Sequence, residues 1–319
     1  MTKGSGLLHA SLAYPQRMPS PHAIAYAERS TPPRTALLLG GSGQIGAALL
    51  ARLLEGGRWS VLAISRQPQH ARPGLTWLRG SLQQMPALPS AVDAIFSTGP
   101  LDAFAHWYAG SGIDAARVVA FGSTSLGTKQ DSDSAQERDL AARLRQAEQT
   151  VFARAAATGA QATLLRPTLV YGAGRDASLT RIAALARRLR CFPLPRGATG
   201  GLRAPVHVDD LAEAALAVLD VPATFGQAYA LPGGERLTYR EMVVRTLAAM
   251  SPPARLLELP PPLFGGLVRA AQSVGVARAL TGAAVSRMRQ DLVFDLAPAQ
   301  RDFGYAPRGF APTAAMLGQ

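Results

Sequence analysis

The chain has 319 residues, of which 48% are hydrophobic and 17% charged, with one cysteine and a formal net charge of +12. The lone Cys191 excludes a disulfide framework or a cysteine metal cluster within one chain and points to a reducing, cytoplasmic compartment. No apolar run is long and unbroken enough to span a bilayer, and no metal-ligand spacing is present.

Nearly all basic residues are arginine; Lys3 and Lys129 are the only lysines. The arginines are scattered, without aromatic interleaving or a nucleic-acid-binding module, so nucleic acid is not expected as a partner. A basic surface of this kind suits an anionic small molecule. Peripheral contact with an anionic membrane surface stays open.

Residues 1–33 are rich in Pro, Ser and Ala and lack a sustained apolar segment, so they read as a loosely ordered arm and not as a secretory signal. Strand-like apolar runs follow at Thr35–Leu39, Ser60–Ile64, Leu75–Leu78, Val92–Ser97, Arg117–Phe121, Ala162–Leu165 and Gln227–Ala230. They alternate with helix-like segments, which predicts an α/β fold with a doubly wound parallel sheet covered on both faces.

The clearest predicted helix begins at Ser134, with Ser134 and Glu137 as a capping box and Gly159 as its stop. Leu140, Leu144, Ala147 and Val151 form its apolar stripe. Asp209 and Asp210 precede a second apolar helix and read as its caps, with Asp210 and Glu213 in a capping pattern. His207 reads as a structural histidine. Residues 260–285 are broken by Arg269, Arg278 and glycines and read as part of a C-terminal helical subdomain.

The run "TALLLGGSGQIGAALLARLL", Thr35 to Leu54, carries the first chemistry. Gly40, Gly43 and Gly46 lie between a strand and an amphipathic helix that opens with Gln44 and Ile45. Glycine at the first position allows a sharp turn. At the second it lets backbone approach a pyrophosphate, and at the third it lets the helix pack close to the sheet. Ile45, Leu49 and Leu53 form the inner face of that helix, and Gly56-Gly57 ends it. The second strand ends in Ser65 and Arg66, where a carboxylate would hold the ribose hydroxyls of NAD. A guanidinium there suits the 2′-phosphate of NADP. NADP is therefore expected ahead of NAD.

Taken in order, "GGSGQIG", "AISR", "AFGSTS", "LLRPTLVYGAGRD" and "RAPVHVDDLAEAALAVL" resemble the extended short-chain dehydrogenase/reductase family, in its NAD-dependent epimerase/dehydratase group. The resemblance spans about residues 35–310. It implies a Rossmann domain of residues 34–174 plus about 206–231, with a smaller C-terminal substrate-binding domain of about 175–205 plus 232–319. It also implies that Ser97, Thr98 and Gly99 run beside the nicotinamide ribose and that Pro167, Thr168 and Leu169 flank the carboxamide. By the same resemblance, Ser123, Thr124 and Ser125 occupy the loop whose hydroxyl polarises a carbonyl. Tyr171, Arg175 and Arg203 lie where relatives contact the substrate. Ser81 stands where an adenine-side aspartate is usual.

One element of the family pattern is missing. Its Tyr-x-x-x-Lys pair needs both side chains on one face of the helix after the fifth strand, where the lysine lowers the tyrosine pKa and the tyrosine relays a proton. Here the aligned positions are Leu140 and Leu144, or Asp139 and Arg143 after a one-residue shift. Lys129, Tyr108 and Tyr171 are the substitutes within the chain. Two readings follow: an NADP-dependent oxidoreductase or epimerase-like enzyme with an atypical proton relay, acting on a carbonyl or alcohol of a nucleotide-sugar or lipid-linked compound, or a catalytically inactive dinucleotide-binding sensor or assembly protein. Either a monomer or a homodimer is compatible with the sequence.

Overall fold

A computed structural model describes residues 32–197, 199–273 and 288–318. The expected arm lies outside these up to residue 31, as do residues 274–287 of the C-terminal helical segment. All seven expected strands are present and pair in one parallel sheet. In chain order its strands are β1 (Arg34–Leu39), β2 (Trp59–Ser65), β3 (Leu75–Arg79), β4 (Ala91–Ser97), β5 (Asp114–Phe121), β6 (Gln161–Pro167) and a last strand, Gln227–Leu231. Their spatial order is β3-β2-β1-β4-β5-β6 and then Gln227–Leu231.

The order reverses between β1 and β4, which pair side by side with Leu39 opposite Ser97. At such a switch point the chains leaving the two carboxyl ends diverge and open a crevice. Both faces of the sheet are buried because successive side chains point to opposite sides. Ala36, Leu38, Val61, Phe96 and Val119 join one core cluster with helix α1 (Gln44–Leu54) and the helix Val208–Ala217. Leu37, Leu39, Ile95, Val118 and Leu164 join a second with α2 (Leu101–Gly110) and the long helix Ala135–Thr158. A third cluster draws on later segments, among them Leu179, Ile182, Phe192, Met242, Leu247, Phe310 and Leu317, and includes Tyr171.

Within the long helix Leu144, Ala147 and Val151 are buried, whereas Leu140 is half-buried. Gly159 terminates it in the left-handed region at φ 75°, a conformation that costs glycine least. Two capping expectations need correction. Ser134 holds the N-cap position, but its side chain makes no capping bond. Instead Ser132 donates its hydroxyl to Glu137 at 2.7 Å and accepts from the Ser134 amide at 3.2 Å. At Val208–Ala217 the cap is His207, whose Nδ1 accepts from the Asp209 amide at 3.2 Å. Asp210 is 5% exposed and turns away from the helix terminus. It accepts from the backbone amide and Nε of Arg308, 98 residues further on, at 3.1 and 2.7 Å. A long-range partner outcompeted the local one. Cys191 is half-buried and free. No helix among the described residues is long and apolar enough to cross a membrane.

Candidate functional site: a dinucleotide crevice

The glycine turn is built as its spacing predicts. Gly40 sits at φ +82°, and a Cβ there would stand 2.7 Å from Thr98 Oγ1. The Gly43 amide donates to the Gly40 carbonyl at 2.8 Å, which closes the turn. A Cβ on Gly46 would stand 2.1 Å from that same carbonyl oxygen, so the first turn of α1 lies directly against the loop. Gly43 caps α1 with no side chain in the way. The amides of the first helical turn lack intrahelical partners and present a partial positive charge. Thr98, from the neighbouring strand end, donates its hydroxyl to the carbonyls of Leu39 and Gly40 at 3.2 and 3.0 Å. This bond ties the β4 loop to the turn.

Two buried polar atoms at this crevice have no hydrogen-bond partner: Gln44 Oε1 and Ser97 Oγ. Buried polar atoms are nearly always satisfied, and both of these are available to a polar ligand seated at the turn. The residues present therefore fit a dinucleotide.

A cleft of about 690 Å³ opens from the turn toward the end of β2. Ser65 and Arg66 line it with Arg72, His70, Trp77 and Arg175, and no carboxylate borders it. Ser65 is occupied in shaping the loop: its hydroxyl donates to the Gln67 carbonyl at 2.8 Å and accepts the Gln67 amide at 3.2 Å. Ser81 likewise closes a local turn, its Oγ accepting the Gln84 amide at 3.1 Å.

A second cavity, of about 370 Å³, lies where the β4 and β5 loops meet the long helix. Gly99, Asp102, Ser123, Leu140, Arg143 and Leu144 are in its wall. Ser123 Oγ accepts the Ser125 amide at 3.1 Å, and its hydroxyl hydrogen has no acceptor among the described residues. Thr124 is committed differently, donating to the Pro167 carbonyl at 3.1 Å. Leu169 holds the next loop through its carbonyl, which accepts the Val206 amide at 2.9 Å.

The positions expected to bear the proton relay are apolar in space as well as in sequence. Leu144 is buried in the second cluster and Leu140 packs against it. Lys129 pairs with Glu137, Nζ to carboxylate 3.8 Å. Tyr108 is 1% exposed and stacks on Phe104 at 5.5 Å. Tyr171 is equally buried, edge-on to His207 and Phe310. Burial pushes both tyrosine hydroxyls above their ordinary pKa.

Tyr171, Arg175 and Arg203 have separate partners. Tyr171 donates to the Gly309 carbonyl at 3.4 Å. Arg203 is 6% exposed, donates to the Gln290 carbonyl at 2.7 Å and lies over the Tyr239 ring. Arg175 reaches the Ser42 carbonyl of the glycine turn at 3.1 Å.

Two features are absent from the sequence-level expectations. Arg143 bridges Asp139 (3.0 Å) and Asp102 (2.7 Å) beside the Ser123 cavity. Glu148, 5% exposed, receives a two-pronged hydrogen bond from Arg166. A glutamate in phase with Leu144 and Val151 was the available signal, because a charge on an inward stripe requires a partner.

His207 is 4% exposed. Burial lowers its pKa below the ordinary 6.5, against the opposing pull of Asp209. The unfolded chain therefore binds this proton at a higher pH than the folded chain does. The associated stability is fully present above pH 6.5 and is lost as pH falls below it. Urea midpoints measured from pH 7 to pH 5 are expected to fall more steeply for the wild type than for His207→Asn, which keeps a cap acceptor. Equal slopes would assign the acid sensitivity elsewhere.

Comparison with known proteins bears on the same crevice. Residues 115–231 match the family model described as NAD dependent epimerase/dehydratase family. UDP-glucose 4-epimerase of Vibrio cholerae is 27% identical over 133 residues, 41% of this chain and 40% of that protein. The uncharacterized protein YbjS of Escherichia coli strain K12 is 25% identical over 166 residues, 49% of each. The chain thus spans less than half the length of these curated relatives. UDP-glucuronic acid 4-epimerase from Bacillus cereus, solved in complex with NAD, superposes with a TM-score of 0.63 at 12% identity, covering 89% of this chain and 96% of that one. At that identity the likeness shows the fold.

Proposed function

We propose that this chain, a member of the NAD-dependent epimerase/dehydratase family over residues 115–231, binds NADP and acts as an oxidoreductase or epimerase-like enzyme on a carbonyl or alcohol of an anionic small molecule. The nucleotide-sugar class is the substrate we favour, since it is the class named for its relatives. The observation that carries the cofactor reading is the carboxylate-free cleft at the end of β2, where Arg66 stands beside the glycine turn. A carboxylate there would repel a 2′-phosphate, whereas a guanidinium pairs with it through two parallel hydrogen bonds.

When bound, the cofactor supplies hydride transfer. The chain would hold the pyrophosphate on the amides that open α1 and the nicotinamide half along Ser97–Gly99 and Pro167–Leu169. Ser123, whose hydroxyl hydrogen is uncommitted, would donate to a substrate oxygen and polarise it. The hydroxyl of Thr124 is taken by Pro167, which makes Ser123 the stronger candidate of the two. Lys129, held toward Glu137, would contribute only after leaving that pairing.

A second reading, a dinucleotide-binding protein without turnover, is favoured by one observation. Leu140 and Leu144 fill the aligned relay positions with core packing. Titration with NADPH and NADH, followed by turnover assays on nucleotide-sugars, separates the two. On the enzymatic reading, Ser123→Ala lowers kcat about 100-fold, the usual cost of one positioned donor, and leaves NADPH affinity within about twofold. Tight NADPH binding with no turnover of any substrate favours the second reading. Binding of NADH but not NADPH overturns the NADP reading, and absence of binding to either dinucleotide overturns both.

A further inference from the structure

Arg175 stands where relatives contact the substrate, yet its geometry assigns it to the cofactor side. Its side chain is exposed and reaches back across 133 residues of sequence to the Ser42 carbonyl. It lines the same cleft as Arg66 and Arg72. We propose that Arg175 is a specificity-determining clasp that engages the 2′-phosphate of NADP from the side opposite Arg66 and closes the cleft over it. This rests on the reading of the cleft as an NADP site and deepens it.

Three observations support the clasp. The first concerns the loop that carries it, which is held on both sides of Arg175. Gly172, at φ +117°, lies against the His207 ring, where a Cβ would stand 2.5 Å from Nε2. Gly174, at φ +66°, packs on the backbone of Gly318. On the other side, Asp176 Oδ1 accepts the amides of Ser178, Leu179 and Thr180. The base of Arg175 is therefore fixed and its head is exposed, so little ordering cost falls on the loop when a ligand arrives.

The second observation is what Arg175 now touches. Its Nη1 donates to a backbone carbonyl, a neutral acceptor. A phosphate oxygen is a stronger acceptor for the same donor, because it adds charge–charge attraction and permits two parallel hydrogen bonds to the guanidinium. An anion arriving in the cleft competes well for it.

The third observation is charge. Arg66 and Arg72 are exposed and form no salt bridge among the described residues, and no aspartate or glutamate borders the cleft. Three guanidinium groups around one carboxylate-free space leave a positive potential that a dianion neutralises. On this reading a 5′-phosphate would sit on the amides that open α1, and its binding would not depend on Arg175.

The test uses two probes on the full chain, 2′,5′-ADP and 5′-AMP, read by calorimetry. Wild type is expected to bind 2′,5′-ADP more tightly, and Arg175→Ala to weaken that binding about 10- to 30-fold, in line with one or two charge-assisted bonds. Binding of 5′-AMP should stay within about twofold, and Arg175→Lys should restore part of the loss. Unchanged thermal midpoints confirm that the variants fold. Equal weakening of both probes, or no weakening of 2′,5′-ADP, overturns the clasp. If Arg66→Ala abolishes the preference for 2′,5′-ADP while Arg175→Ala preserves it, the clasp alone fails. If the wild type shows no preference between the probes, the NADP reading itself fails and the clasp goes with it.

Discussion

Gly46→Ala is expected to lose more than about 100-fold in NADPH affinity and about 3 kcal/mol of stability, the upper part of the range for overpacking a tight site. The added methyl meets the Gly40 carbonyl oxygen at 2.1 Å and the Gly40 carbonyl carbon and Gly41 Cα at 2.8 Å. All three are backbone atoms, so no side chain can rotate aside. Either α1 moves off the sheet or the turn opens, and both displace the amides that would receive the pyrophosphate. Gly43→Ala is the internal comparison. Its Cβ would meet only the Gly40 carbonyl oxygen, at 3.1 Å, so a shift of a few tenths of an ångström suffices and the loss should stay below about 1 kcal/mol. Urea denaturation and NADPH titration of both variants check this. Equal behaviour of the two would remove the special role of Gly46.

Arg166→Met is expected to destabilise the chain by about 3 kcal/mol, the cost of leaving a buried carboxylate without its partner. Glu148 loses both guanidinium contacts, including the one from Nε at 2.7 Å. Its Oε1 would then stand unpaired 3.2 Å from the position a Cβ of Gly122 would take, directly beneath the segment that leads into Ser123. The double variant Glu148→Leu with Arg166→Met should recover much of the loss, because an apolar pair of similar volume avoids the desolvation cost. A double-mutant cycle by urea denaturation measures the coupling. A single-variant cost below about 1 kcal/mol would mean that the ion pair does little for the fold.

The sheet was legible because its signals are local. Seven apolar runs, the glycine spacing and the amphipathic α1 each occupy one stretch of sequence, and all seven runs pair in the sheet. The polar wiring was not legible, because its partners are far apart in the chain. Asp210 looked like a cap until Arg308 came to it from 98 residues away. Ser134 was placed at the right boundary, but the hydroxyl that bonds to Glu137 belongs to Ser132. Arg175 could be singled out as an anion-binding residue from sequence; that its head lies on the glycine turn depends on how the segment after β6 folds back. The apolar identity of positions 140 and 144 was plain from the letters alone. Their burial, unequal between the two, depends on how the helix packs on the sheet.

Those two leucines bear on how such a chain can change over generations. A single step that puts lysine at position 144 would place a charge at a site 8% exposed, inside a packed cluster, at a cost of several kcal/mol. Marginal stability leaves little room for such an intermediate. Tyrosine at position 140 without that lysine gains no partner to lower its pKa. Neither first step improves the molecule, so a Tyr–Lys pair at positions 140 and 144 is not reached from this chain through a single favourable substitution. Packing in this helix works against a charged or hydroxyl-bearing pair at these two positions.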